Sequence, residues 1–66
     1  MSETNIWQAV KQTTNAGDYA KTVSLLRMLA ENGDARAQYH LARCHEYGKG
    51  IVKNYEEAHK WYKKSA

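Results

Sequence analysis

Apolar and small side chains recur every three or four positions along this chain, which is the spacing of one face of an α-helix. Four such segments follow one another, over residues 3–15 and then after Asp18, Asp34 and Asn54. The residues expected to face inward are Ile6, Ala9, Val10, Thr13, Tyr19, Thr22, Val23, Leu26, Leu29, Ala30, Ala37, Leu41, Ala42, His45, Tyr55, Ala58, Trp61 and Tyr62. No strand-like alternation competes with this pattern, so it predicts an all-α fold.

Polar and glycine residues mark the ends of these segments. Asp18, Asp34 and Asn54 stand where a side-chain oxygen can accept a free N–H of the first helical turn. The interruptions all contain glycine, which tolerates the left-handed backbone found past helix ends: Ala16-Gly17, Asn32-Gly33 and Gly48-Lys49-Gly50. Because the connections are short, successive helices are expected to be antiparallel neighbours.

The second and fourth segments begin alike, with Asp18-Tyr19 in one and Asn54-Tyr55 in the other. A period of about 36 residues with two helices in each unit is typical of an α-solenoid. The sequence therefore predicts a short α-solenoid of about four antiparallel helices in a single domain, residues 1–66. Its two helix-turn-helix repeats are expected at residues 1–33, a degenerate first repeat, and at residues 34–66.

Residues 30–66 closely resemble one Sel-one-like repeat (SLR), a relative of the tetratricopeptide repeat. The motifs that carry the resemblance are Gly33-Asp34, Ala37 to Leu41, Gly48-Lys49-Gly50, Asn54-Tyr55, Ala58, Trp61 and Ala66. Residues 1–29 match only weakly, through the turn Gly17-Asp18-Tyr19. The resemblance implies a scaffold or adaptor that binds other proteins and has no catalysis of its own.

The second repeat departs from the family pattern at three positions. Ala42, His45 and Val52 stand where the family usually has glycine, tyrosine and proline. The repeat nevertheless explains the position of His45, which falls in a slot expected to face the core.

The size and charge of the chain reduce the number of functional classes to which it could belong. With 66 residues there is little room for both a core and a deep catalytic pocket. A net charge of +3, interleaved with acidic residues, does not by itself indicate nucleic acid. One cysteine cannot form an internal disulfide, so nothing indicates an oxidising compartment. The sequence shows neither a signal peptide nor an apolar run of about 20 residues. We therefore expect a cytoplasmic protein that engages no membrane.

The segment from Leu41 to Trp61 contains the chemistry-bearing residues Cys44, His45 and His59, and His40 precedes it. His40 and Cys44 share a helix face, but the paired spacings of a tetrahedral zinc site are missing. Adjacent side chains on a helix diverge, which separates Cys44 from His45 and disfavours a nucleophile–base pair. We therefore expect no catalytic residues, no metal site and no cofactor.

Two surfaces are candidates for binding. In helix-pair repeats the first helix of each unit lines the concave face, which here predicts a protein-binding site of Trp7, Lys11, Arg36, Tyr39, Arg43, Glu46 and Tyr47. Tyrosine, tryptophan and arginine are enriched at interface hot spots. A competing interpretation makes Trp7 and Tyr39 core residues that pack the repeats together. The second surface is the C-terminal face, with Tyr55, Trp61 and Tyr62, for protein binding or self-association.

Three functions are consistent with these features. The first is a non-catalytic module that binds another protein, either as an adaptor or as a small blocking inhibitor. The second is a homo-oligomer that assembles through the face around Trp61. The third is RNA binding by the basic last helix, which carries Lys60, Lys63 and Lys64, although nucleic acid is not the expected partner.

Overall fold

The computed structural model describes residues 3–66, with side chains from residue 5 onward. Four helices follow one another: α1 (Glu3–Asn15), α2 (Tyr19–Glu31), α3 (Ala35–Tyr47) and α4 (Tyr55–Ser65). No residue in the described range belongs to a strand. The predicted all-α fold is confirmed.

Each of the three predicted cap residues accepts N–H groups of the helix that it precedes. The Asp18 carboxylate accepts from the Lys21 N–H at 3.3 Å, and the Asn54 side-chain oxygen accepts from the Glu57 N–H at 3.1 Å. Asp34 accepts two such bonds at the start of α3, the shorter of 2.9 Å. These bonds satisfy backbone donors that have no partner within the helix, and so fix where it begins.

The helices form one thin layer, packed in chain order as α1 on α2, α2 on α3 and α3 on α4. The Cα atoms extend over 29 × 24 × 12 Å. Among the described residues, α1 and α3 approach each other only through side chains. This open arrangement is that of a solenoid rather than of a closed four-helix bundle.

The core runs along the layer and is aliphatic. Its buried members are Ile6, Val10, Val23, Leu26, Leu29, Ala30, Ala37 and Leu41. Leu29 and Leu41 are fully buried, and half-buried Trp7 and Trp61 pack against this cluster. Ala42 and Ala58 are also buried, as predicted.

Three polar side chains are buried beside these residues. The Thr22 hydroxyl is 2.6 Å from the Thr13 hydroxyl, and Gln38 donates its amide N–H to the Ala30 carbonyl at 3.1 Å. His45 is 6% exposed, as its predicted core position requires. Its Nδ1 has no hydrogen-bond partner among the described residues.

Two predicted inward positions are wrong. Tyr19 is 38% exposed and Tyr55 is 64% exposed. Each is the first residue of its helix, at the edge of the packed face, where the neighbouring helix does not cover the ring. A lysine ammonium lies over each ring instead, Lys49 over Tyr19 at 5.5 Å and Lys53 over Tyr55 at 5.1 Å.

The loop between α3 and α4 returns to the start of α2. Gly50 has a φ of 73°, and a Cβ atom at this position would collide with the backbone of Tyr19 and Ala20. Only glycine allows both the left-handed conformation and this close approach. The contact fixes Lys49 beside Tyr19.

No helix in the described part of the chain combines the length and the apolar character needed to cross a membrane.

Candidate functional site

A groove of about 490 Å³ runs between α1 and α3, over α2. Its floor is formed by buried side chains, Val10 from α1 and Thr22 and Leu26 from α2. Its walls carry aromatic rings, including those of Trp7 and Tyr47. The groove exists because α1 and α3 each pack on α2 without packing their backbones on each other.

Trp7 joins α1 to the beginning of α3. Its indole Nε1 donates a hydrogen bond to Asp34 Oδ2 at 3.2 Å. The Arg36 guanidinium lies 5.0 Å from the centre of the indole, and the His40 ring meets it edge-on at 6.0 Å. Trp7 is therefore both a packing residue between α1 and the start of α3 and part of the groove wall.

Arg43 stands between two tyrosine rings on the exposed side of α3. Its guanidinium lies 5.9 Å from the centre of the Tyr39 ring and 5.7 Å from that of Tyr47. Cation–π contacts of this kind hold the charged group in place while leaving it accessible. Arg43 and Tyr47 line the groove, together with Lys49 and Tyr19 at its far end.

Two of the predicted concave residues lie on the α4 side of α3. Tyr39 meets the Tyr62 ring edge-on at 5.6 Å, and the Tyr62 hydroxyl donates to Glu46 Oε1 at 2.6 Å. This hydrogen bond, together with burial, raises the pKa of Tyr62 to about 12. Tyr39, Glu46 and Tyr62 thus form a lateral contact between α3 and α4.

The remaining predicted residues lie apart from these two groups. Lys11 is exposed on α1 and does not line the groove. Arg36 is exposed over the Trp7 ring and is not among the residues that line the groove. On the C-terminal face, Tyr55 is exposed, whereas Trp61 is half-buried beneath the Lys64 ammonium, 4.9 Å from its ring centre.

Sequence reasoning assigned no role to His40 and Cys44, which both line the groove. Burial, and then the nearby Arg43, lower the pKa of His40, while burial raises the pKa of the Cys44 thiol. Both shifts favour the neutral forms, so these residues add polar but uncharged surface. The i, i+4, i+7 spacing of His40, Cys44 and Tyr47 is the signal that places them on one helix face.

The charged side chains that line the groove are all positive. Arg43 and Lys49 are among its lining residues, and no aspartate or glutamate is. The two ion pairs between described side chains are Arg36 with Asp34 and Lys60 with Glu57. Neither involves the two groove cations. In the described part of the chain, no three His, Cys, Asp or Glu side chains are grouped so that they could hold a metal ion.

Comparison with known proteins shows two curated relatives, both named "DAP3-binding cell death enhancer 1". The protein from Rattus norvegicus is 43% identical over 49 residues, and that from Mus musculus is 39% identical over 49 residues. Each alignment covers 74% of this chain but only 10% of the relative. The chain thus spans about a tenth of the length of these relatives. No solved structure gives a significant match.

The family model described as "Sel1 repeat" matches the chain twice, at residues 12–34 and 35–66. The second match covers α3 and α4, where the sequence motifs are strongest. The first takes in the end of α1 and all of α2, where the motifs are weak. Sel1 repeats are protein–protein interaction modules. The resemblance seen in the sequence is confirmed, and the chain belongs to the Sel1 repeat family.

Proposed function

We propose that this chain is a non-catalytic module that binds a segment of another protein in the groove between α1 and α3. The observation that carries the proposal is an apolar groove of about 490 Å³ whose walls combine tryptophan, tyrosine and arginine. These are the residue types that dominate binding energy at interfaces. A volume of this size lies within the range of roughly 300–1,000 Å³ that is typical of concave ligand-binding sites.

The walls are held in place before any partner arrives. Trp7 is held by its hydrogen bond to Asp34, and Arg43 lies between the rings of Tyr39 and Tyr47. Side chains that are already ordered lose less conformational entropy on binding, so more of the contact energy appears as affinity. Tyr47 is 57% exposed and offers much of its ring to a partner.

The names of the curated relatives agree with a partner-binding role, since both proteins are named for binding DAP3. Those names describe proteins about ten times as long as the aligned segment. They support a protein as the partner and leave its identity open for this chain.

One groove suffices for a protein that blocks a surface of its partner. A bridging adaptor needs a second, independent surface, for which the C-terminal face around Tyr55 and Trp61 is the candidate. The two modes differ in stoichiometry, because a blocker forms a binary complex and an adaptor joins two different proteins.

The test is affinity capture with the wild type and two matched variants. Tyr47→Ala removes an exposed ring from the groove, and Tyr55→Ala removes a similarly exposed ring, 64% against 57%, from outside it. We expect a captured protein that is retained by Tyr55→Ala and lost by Tyr47→Ala, with both variants folded by circular dichroism. The reverse pattern would move the site to the C-terminal face, and a partner seen only as further copies of this chain would support homo-oligomerisation.

A further inference from the structure

We infer that the groove selects an acidic segment, one that places an apolar side chain on the groove floor and carboxylates against Arg43 and Lys49. The inference rests on the proposed function, because it names the chemistry of the segment that the groove receives.

The charges that line the groove are all of one sign. Arg43 and Lys49 contribute two cations, and the lining includes no carboxylate that would neutralise them. Asp34, which contacts the groove residue Trp7, is already engaged: its side chain is 9% exposed and accepts bonds from the Trp7 indole and from backbone N–H groups of α3. A partner with carboxylates would complete the pairing that the chain itself leaves unmade.

The cations of α3 and of the loop after it also rest against aromatic rings. Arg36 and Arg43 are two helical turns apart on α3, which corresponds to about 10 Å along the helix axis. The side chain of Arg36 is 76% exposed, and Arg43 and Lys49 follow toward the far end of the groove. Each guanidinium or ammonium rests over an aromatic ring, at 5.0 Å for Arg36 and 5.5 Å for Lys49. Two cations, Arg43 and Lys49, therefore line the α3 side of the groove, and Arg36, which is paired with Asp34, lies over the Trp7 ring outside that lining.

The space between the cations is apolar. Val10 and Leu26 form the floor beside the Thr22 side chain, whose hydroxyl is hydrogen-bonded to Thr13, and the rings of Trp7 and Tyr47 form the walls. A partner that offered only charge would leave this apolar surface in contact with water. An apolar anchor would bury the surface, which stabilises the complex by about 25 cal/mol per Å² buried. The combination favours a peptide with an apolar residue flanked by Asp or Glu. A phosphate backbone is the less suitable occupant, because it matches the cations and leaves the floor unfilled.

The inference is tested by selecting binders from a library of short random peptides displayed against the full chain. We expect the selected peptides to share an apolar anchor flanked by Asp or Glu. One selected peptide is then labelled and its affinity measured by fluorescence anisotropy. Replacing its Asp and Glu residues by Asn and Gln is expected to weaken binding roughly tenfold or more at low salt, and the difference is expected to shrink at high salt.

Variants of the chain show which of its lysines pairs with the acidic residues of the peptide. Lys49→Gln is expected to lower the affinity for the labelled peptide about threefold. Lys11 is an exposed lysine outside the groove, so Lys11→Gln is expected to leave the affinity unchanged. Lys49→Glu should weaken it further, and a peptide in which the facing acidic residue is replaced by lysine should regain binding to Lys49→Glu. This rescue requires the variant to be folded, so it separates lost pairing from lost structure.

The outcomes distinguish a failure of the acidic-segment inference from a failure of the proposed function. Selected peptides that lose binding with Tyr47→Ala but lack acidic residues would overturn this inference and leave the proposed function standing. A selection that yields no peptide dependent on Tyr47 would overturn both. An RNA oligonucleotide that displaces the labelled peptide and loses binding with Lys49→Gln would replace the acidic peptide by nucleic acid as the occupant.

Discussion

Trp7 of α1 and Asp34, the residue before α3, are joined by a side-chain hydrogen bond from the indole Nε1 to Oδ2 at 3.2 Å. The two residues are 27 positions apart, and Asp34 also caps α3. The carboxylate that begins α3 therefore also holds the end of the groove wall contributed by α1. Substitution of Asp34 therefore has two separate effects, the loss of the cap of α3 and the loss of the hydrogen bond to Trp7.

A double-mutant cycle measures this link. Trp7→Phe removes the indole donor, and Asp34→Ala removes both the acceptor and the cap. We expect the loss of the cap to cost about 1 kcal/mol and the bond to appear as a coupling energy of about 1 kcal/mol between the two substitutions. Urea denaturation of the four proteins gives these values, and additive effects would show that the bond contributes nothing to stability.

Gly50 is expected to tolerate alanine much less well than Gly17. Both have positive φ, 73° and 77°, so each substitution incurs the left-handed penalty of about 1 kcal/mol. A Cβ at Gly17 meets no other atom within 4 Å, whereas one at Gly50 collides with the backbone of Tyr19. Gly50→Ala should therefore lose about 1–3 kcal/mol more than Gly17→Ala in denaturation experiments. Equal losses would mean that the loop moves away from α2 freely.

The stability of the fold is expected to fall as the pH drops below about 6.5, because of His45. Burial lowers the pKa of His45 from its usual value of 6.5, with a smaller contribution from Arg27, while Glu57 acts in the opposite direction. As the pH falls, His45 therefore takes up a proton in the unfolded chain before it does so in the folded chain. The free energy of unfolding decreases from about pH 6.5, the usual pKa, down to the lower pKa of the folded state.

Denaturation midpoints between pH 8 and pH 5, roughly the range in which histidine titrates, measure this effect. His45→Leu should flatten the dependence, and the part that persists is attributed to His40, whose pKa is also lowered. An unchanged slope in His45→Leu would show that His45 is protonated in the folded state without cost.

Glu46 is expected to control the ionisation of Tyr62. The hydrogen bond from the Tyr62 hydroxyl to Glu46 raises the pKa of Tyr62 to about 12, against the usual 10.0. Glu46→Gln removes the negative charge, so the pKa of Tyr62 should fall toward its usual value. Alkaline titration followed by tyrosinate absorbance detects the shift, with Tyr62→Phe identifying which of the five tyrosines is responsible.

The positions of the helices could be predicted because their signals are local. Asp18, Asp34 and Asn54 each act on the turn that immediately follows, and glycine ends the segments for reasons of backbone geometry. The exposure of Tyr19 and Tyr55 could not be predicted in the same way. An aromatic residue at a helix start matches the apolar periodicity, and only the tertiary structure shows whether a neighbouring helix reaches it.

The site was harder to predict for a geometric reason. Tyr39, Arg43 and Tyr47 are spaced by four residues, and each step turns about 40° around an ideal helix. Over two steps the stripe moves from the α4 side of α3 to the α1 side, which is why Tyr39 contacts Tyr62 and Tyr47 lines the groove. The sequence indicates that these residues share a stripe, but the rotation of α3 against its neighbours decides where the stripe divides.

The absence of direct backbone packing between α1 and α3, within residues 3–66, has a mechanical consequence. The width of the groove depends on the angles at which α1 and α3 each rest on α2. A segment wedged between Trp7 and Tyr47 would act as a strut across that gap and would resist any change in either angle. Occupancy of the groove would therefore stiffen the part of the layer formed by α1, α2 and α3, so that the proposed partner binding would be coupled to the curvature of these three helices.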